Sequence, residues 1–183
     1  MKSSLRSTAV AAVLCISLGA GVANAGVFDG QTVNVQYFFP DLSSPYAGLA
    51  NGNYFVDSSV EVHNVVDVFG TLDFSGDGFV VSFFSNFTLL PASFNGFVVS
   101  DALSTMAPFT SFSILSNTSS TGTTPFLSFD ADHLYVNWEG QGFKAGELVF
   151  TTSAVPEPET FAMLLAGLGL LGFMARRKKE SIV

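Results

Sequence analysis

The chain has 183 residues, with 7 Lys+Arg against 15 Asp+Glu, a formal charge of −8, 48% hydrophobic residues, 20 Phe and one Cys. That length fits one domain. A charged fraction of only 12% excludes a disordered acidic chain, and the acidic balance excludes a basic nucleic-acid binder, leaving a folded body with membrane-directed segments.

Lys2 and Arg6 precede an apolar run from about Ala9 to Ala20, and Ala23-Asn24-Ala25 follows. This is the charged, apolar and A-x-A layout of a secretory signal peptide. Residues 1–25 are therefore expected to form a signal helix, handled by the general secretion machinery and cut by signal peptidase after Ala25, with Gly26 as the first mature residue. About 12 apolar residues are too few to span a hydrocarbon core of roughly 30 Å, which argues against an uncleaved anchor. Cys15, the single cysteine, lies inside this leader. The mature chain consequently has no thiol for a disulfide, a nucleophile or a thiolate metal site, although export would permit disulfides.

Residues 26–155 form the ectodomain, in which twelve carboxylates face Lys144 alone, a charge of about −11. Such a surface repels anionic partners, favours cations and keeps a Phe-rich body soluble. Val33, Val35, Tyr37 and Phe39 alternate with Thr32, Asn34, Gln36 and Phe38. Phe79, Val81, Phe83, Phe87 and Leu89 likewise share one face of a second segment, and both match a period of two. Further strands are predicted at 54–66, 68–74, 96–103, 109–116, 127–138 and 146–152. Ser75-Gly76-Asp77-Gly78, Asn95-Gly96 and Glu139-Gly140-Gln141-Gly142 supply turn signals between them, and no sustained helical period occurs. The expected fold is all-β: about eight strands in an antiparallel β-sandwich, jelly-roll or immunoglobulin-like, flanked by the N-terminal signal helix and a C-terminal transmembrane helix.

Several polar groups within that body invite chemistry. Asp73-Phe74-Ser75-Gly76-Asp77-Gly78 opens like a calcium loop, but Phe84 stands where the bidentate Glu belongs and the flanks read as strands. An EF-hand is excluded; Asp73 and Asp77 remain candidate contacts for weakly held Ca²⁺, and no other cofactor is expected. Asp130 and Asp132 would project from one face of a strand, with His133 adjacent, as candidate contacts for a cation or ligand on an otherwise solvated strand edge. Glycoside hydrolysis needs carboxyls across a cleft about 5 to 10 Å wide, which one strand face does not provide. His63 and His133 stand in neither H-E-x-x-H nor H-x-x-x-H spacing, and no serine has a G-x-S-x-G context, so neither a zinc site nor a serine nucleophile is supported. Trp138, Tyr135, Tyr37, Tyr46 and Tyr54 combine a ring with a polar handle, and an exposed Trp138 near Glu139 and Lys144 would suit stacking on a sugar. Asn86-Phe87-Thr88 and Asn117-Thr118-Ser119 match the glycosylation sequon and carry little weight.

After the ectodomain, Val155-Pro156-Glu157-Pro158-Glu159-Thr160 leads into the apolar run 161–175 and then Arg176-Arg177-Lys178-Lys179. The run predicts a membrane helix, short because 15 residues reach only about 23 Å, with snorkelling cations covering the rest. The four cations hold the tail, residues 176–183, in the cytoplasm and put the ectodomain outside. Gly167-Leu168-Gly169-Leu170-Leu171-Gly172 matches the dinucleotide fingerprint G-x-G-x-x-G, but no strand precedes it, so it reads as membrane-helix composition.

Residues 156–183 together resemble the PEP-CTERM sorting signal: Pro-Glu-Pro, a short apolar helix and an Arg-rich end. The resemblance implies that exosortase, a membrane-embedded cysteine transpeptidase, reads Pro156, Glu157 and Pro158 and removes the transient anchor. The protein then passes to the cell surface or extracellular polymer of a Gram-negative bacterium. Two prolines fit that role, because they hold the chain extended and free of N–H donors where a protease needs an unfolded strand. The ectodomain is also similar to a group of small PEP-CTERM proteins through Phe129-Asp130-Ala131-Asp132, Leu134-Tyr135-Val136-Asn137-Trp138 and Gly142-Phe143; this implies a class and no chemistry. The expected function is that of a non-enzymatic exported surface or matrix protein. An exopolysaccharide-binding module is the alternative and a hydrolase a distant third.

Overall fold

The computed structural model describes residues 26–47, 49, 51–155 and 164–173. Twelve strands occur among them, β1 Thr32–Phe38, β2 Gly52–Phe55, β3 Val65–Val68, β4 Gly70–Ser75, β5 Gly78–Phe83, β6 Phe87–Thr88, β7 Gly96–Asp101, β8 Phe109–Asn117, β9 Phe126–Phe129, β10 His133–Asn137, β11 Gly142–Phe143 and β12 Gly146–Ala154. All paired strands run antiparallel. They form a five-stranded sheet, β2-β1-β7-β10-β9, a four-stranded sheet, β4-β5-β12-β8, and a small β11-β6 ribbon.

The period of two seen in the sequence sets which residues enter the core. In β1 the buried positions are Val33, Val35 and Tyr37; in β5 they are Phe79, Val81 and Phe83; in β10 they are Leu134 and Val136. Phe79 joins the two sheets, with its ring 6.0 Å from Phe97 of the five-stranded sheet and 4.8 Å from Phe150 in its own. Phe28, Phe74 and Phe109 extend this aromatic core, and edge-to-face and offset pairs of this kind add to the area they bury.

Several predicted segments divide differently. The run 54–66 is not one strand: Asp57 Oδ1 accepts the Ser59 N–H at 2.7 Å and the Ser59 hydroxyl at 2.6 Å, an Asx turn that competes with the ladder. The run 127–138 is two strands, β9 and β10, folded at residues 130–132. Leu89 lies outside β5, and Phe87 belongs to the β11-β6 ribbon. The immunoglobulin order is not reproduced, because that fold ends on an edge strand whereas β12 lies inside its sheet between β5 and β8.

Residues 164–173 form a helix with exposed side chains. Among the described residues no helix is long and apolar enough to cross a membrane. The remainder of the expected span 161–175 lies outside the described residues, as do the signal helix with Ala23 and Ala25, the recognition residues Pro156, Glu157 and Pro158, and the stop residues Arg176, Arg177, Lys178 and Lys179.

Candidate functional site

Two outward rows of the five-stranded sheet are uncharged and mostly polar, flanked by exposed Phe55 and Phe126. Register places Asn53, Asn34, Ser100 and His133 in one row across β2, β1, β7 and β10. The next row is Gln36, Val98, Tyr135 and Ser128. The Asn34 amide donates to Asn53 Oδ1 at 2.7 Å. Between Leu42, which overhangs from the loop after β1, and His133 and Tyr135, these side chains line a shallow groove of about 270 Å³ with Asn34, Gln36 and Ser100 on its floor.

Asp130 fixes the far wall of that groove. Its Oδ1 accepts the Asp132 N–H at 2.9 Å, the His133 N–H at 2.8 Å and His133 Nδ1 at 2.9 Å, while Oδ2 accepts the Tyr135 hydroxyl at 2.9 Å. An ionised carboxylate only accepts, so Nδ1 carries the proton in this hydrogen bond. Partial desolvation alone would raise the Asp130 carboxyl. The hydrogen bonds from Asp132, His133 and Tyr135, with the His133 charge, outweigh it and hold the carboxyl at about 2. Desolvation, and then the hydrogen bond and charge of Asp130, push the Tyr135 phenol up. The His133 and Tyr135 rings are thereby held side by side, 5.8 Å apart and 33° from coplanar.

This arrangement revises two sequence expectations. Asp130 and Asp132 do not project from one strand face; they occupy a hairpin turn, and all of Asp130's bonds run back into its own hairpin. Trp138 is not an exposed stacking ring, since it is fully buried. Its ring lies 5.1 Å from Phe97 and 5.6 Å from Phe143. Its Nε1–H donates to the Tyr37 hydroxyl at 2.8 Å, which donates to Asn95 Oδ1 at 2.7 Å, and the Asn95 amide donates to Leu90 O at 2.9 Å. Burial first of all pushes the Tyr37 phenol well up, so this relay stays neutral and fully paired.

Asp73 lies in β4 opposite Val80, and Asp77 lies in the β4–β5 turn. Asp77 Oδ1 accepts the Val27 N–H at 3.0 Å, and Asp29 Oδ1 accepts the Gly76 N–H at 2.7 Å. Among the described residues no group of three or more His, Cys, Asp or Glu side chains is placed to hold a metal ion. A second cleft, about 240 Å³, opens beside Tyr37, Tyr46, Phe69 and Phe87 and is mostly apolar.

Sequence reasoning missed Asn34, Gln36 and Ser100 as site residues. The first two were visible as the polar half of the β1 alternation, but only cross-strand register brings them beside His133 and Tyr135. The final strand, β12, ends at Ala154, with Val155 already exposed. No curated protein and no solved structure matches the chain significantly. A family comparison matches residues 154–178 to the PEP-CTERM protein-sorting motif. The motif thus begins on the last residue of the sandwich, and the chain carries a PEP-CTERM protein-sorting motif at residues 154–178.

Proposed function

We propose that the protein is exported through its signal peptide, held transiently in the membrane by its C-terminal helix, and processed by an exosortase at Pro156-Glu157-Pro158. The product is a non-enzymatic structural β-sandwich of the cell surface or extracellular matrix. One observation carries this reading: the sorting motif spans 154–178 and starts where β12 ends, so a cut after it removes no strand of the sandwich. Mass spectrometry of protein recovered from the native cell surface and surrounding polymer tests it. A product starting at Gly26 and ending near Pro156-Glu157-Pro158 supports sorting, whereas an intact chain ending at Val183 and confined to the inner membrane overturns it.

Exopolysaccharide binding is favoured as a second reading by the groove on the five-stranded sheet. Its amide and hydroxyl groups match a neutral polyol, and its paired rings offer a face for a sugar, while the overall charge disfavours polyanions. On immobilised neutral polysaccharide, Tyr135→Ala and Asp130→Asn are expected to weaken retention about tenfold, the second by releasing both rings. Retention unchanged in both variants would remove the groove from consideration.

A further inference from the structure

The start of the mature chain is seated by specific contacts. The Gly26 nitrogen donates to Asp29 Oδ2 at 2.8 Å, and Asp29 Oδ1 accepts the Gly76 N–H of the β4–β5 turn at 2.7 Å. The Val27 N–H donates to Asp77 Oδ1 at 3.0 Å, and the Phe28 N–H to Gly76 O at 3.0 Å. A Cβ on residue 26 would fall 2.2 Å from the Gly76 backbone, so only glycine lets the chain lie this close. Directly behind these contacts, Phe28 is fully buried with its ring 5.1 Å from Phe74.

We infer that cutting between Ala25 and Gly26 creates a cation that the fold already has a place for: the new Gly26 ammonium forms an ion pair with Asp29 and pins the mature N-terminus to the β4–β5 turn. Water adds across the peptide bond: its oxygen passes to the Ala25 carbonyl carbon to leave a carboxylate, and both of its protons end on the Gly26 nitrogen, which becomes an ammonium. Before the cut that nitrogen is a neutral amide donor, and afterwards it is charged. Two carboxylates, Asp29 from the same loop and Asp77 from the turn, face this nitrogen and its neighbour. Among the described residues no Lys or Arg pairs with either, and Lys144, the only one in residues 26–155, lies in the link between β11 and β12. The inference rests on the export reading above and adds that processing stabilises the domain.

The sign follows from both partners. Hydrogen bonds from Gly26 and then Gly76 hold the Asp29 carboxyl below its ordinary 3.8, so its contribution is present above that value and is lost as pH falls. An α-amino group that gains a carboxylate partner is raised above its ordinary value of about 8. Its contribution is present below that value and is lost as pH climbs through the raised one. Stabilisation therefore occupies the window between the two.

Two full-length chains with the native leader decide the matter, one unaltered and one with a serine inserted after Ala25, so that its cut product keeps Gly26 as an amide. After mass spectrometry has fixed each start, thermal unfolding by circular dichroism at pH 6 is expected to place the Gly26 start about 2 °C above the serine-extended one. The gap should close above about pH 10 and shrink in 1 M salt, where the Debye length is about 3 Å. Asp29→Asn, which keeps an acceptor but no charge, should abolish the gap. A native start at Gly26 with equal melting temperatures, or a cut at another residue, overturns the ion pair and leaves the export reading standing; a leader that stays uncut overturns both.

Discussion

Trp138→Ala is expected to cost about 3 to 5 kcal/mol of folding stability, a large part of the 5 to 15 kcal/mol typical of a domain. The indole is fully buried where the two sheets and the β11-β6 ribbon meet, 5.1 Å from Phe97, 5.7 Å from Phe83 and 5.6 Å from Phe143. Truncation leaves a cavity that rings from three different elements cannot collapse into without breaking their own contacts. Tyr37→Phe separates packing from polarity at the same place. It keeps the ring but leaves Trp138 Nε1–H and Asn95 Oδ1 unpaired in the interior, at a cost of about 2 to 4 kcal/mol. Urea unfolding of the exported protein, followed by circular dichroism because Trp138 is the only tryptophan, measures both. A Trp138→Ala variant within 1 kcal/mol of wild type would mean that the indole does not fill the centre of the core.

Gly96→Ala should be nearly as damaging for the opposite reason. A Cβ there would lie 1.9 Å from Val136 O, and that oxygen belongs to the central β7–β10 pair, so no side-chain rotation relieves the clash. The two strands must part, with an expected loss of about 3 kcal/mol and faster hydrogen exchange at the amides of Phe97 and Val136, which face each other across this pair. Gly52→Ala is the control. Its Cβ would meet nothing closer than 3.9 Å, on the Tyr54 ring, and a shift of less than about 1 kcal/mol is expected. Equal losses in the two variants would show a general intolerance of alanine in these strands and not a clash at Gly96.

Strands with clean alternation were legible in the sequence, and the reason is local. In β1 and β5 each residue's face follows from its neighbours, so Val33, Val35, Tyr37, Phe79, Val81 and Phe83 could be assigned to the core without knowing any partner strand. The β4–β5 turn was legible because Gly76 requires a positive φ, here 56°. What failed was decided by side chains reaching back to the main chain. Asp57 ends the ladder with a bond to Ser59, and Asp130 folds its hairpin with bonds to Asp132 and His133; both aspartates stand inside runs that otherwise read as continuous strands. The fate of Trp138 was decided still further away, by Tyr37 at a separation of 101 residues. Both Trp138 faces look alike in sequence, and the acceptor that makes burial of its N–H affordable comes from another strand. The candidate groove had the same obstacle, because three strands, β1, β7 and β10, contribute to it and register alone aligns them.

The placement of Lys144 has a consequence for digestion. Trypsin-like proteases cut after Lys or Arg, and residues 26–155 offer them one bond, Lys144–Ala145. Lys144 is exposed in the short link between β11 and β12, where its N–H donates to Ser119 O at 2.8 Å. A nick at that bond detaches nothing: the upstream piece keeps β5 and β8, and the downstream piece is β12, which is hydrogen-bonded to both. With a single such bond, residues 26–155 are a poor substrate for trypsin-like proteases, and a clipped copy retains its shape as a two-chain complex.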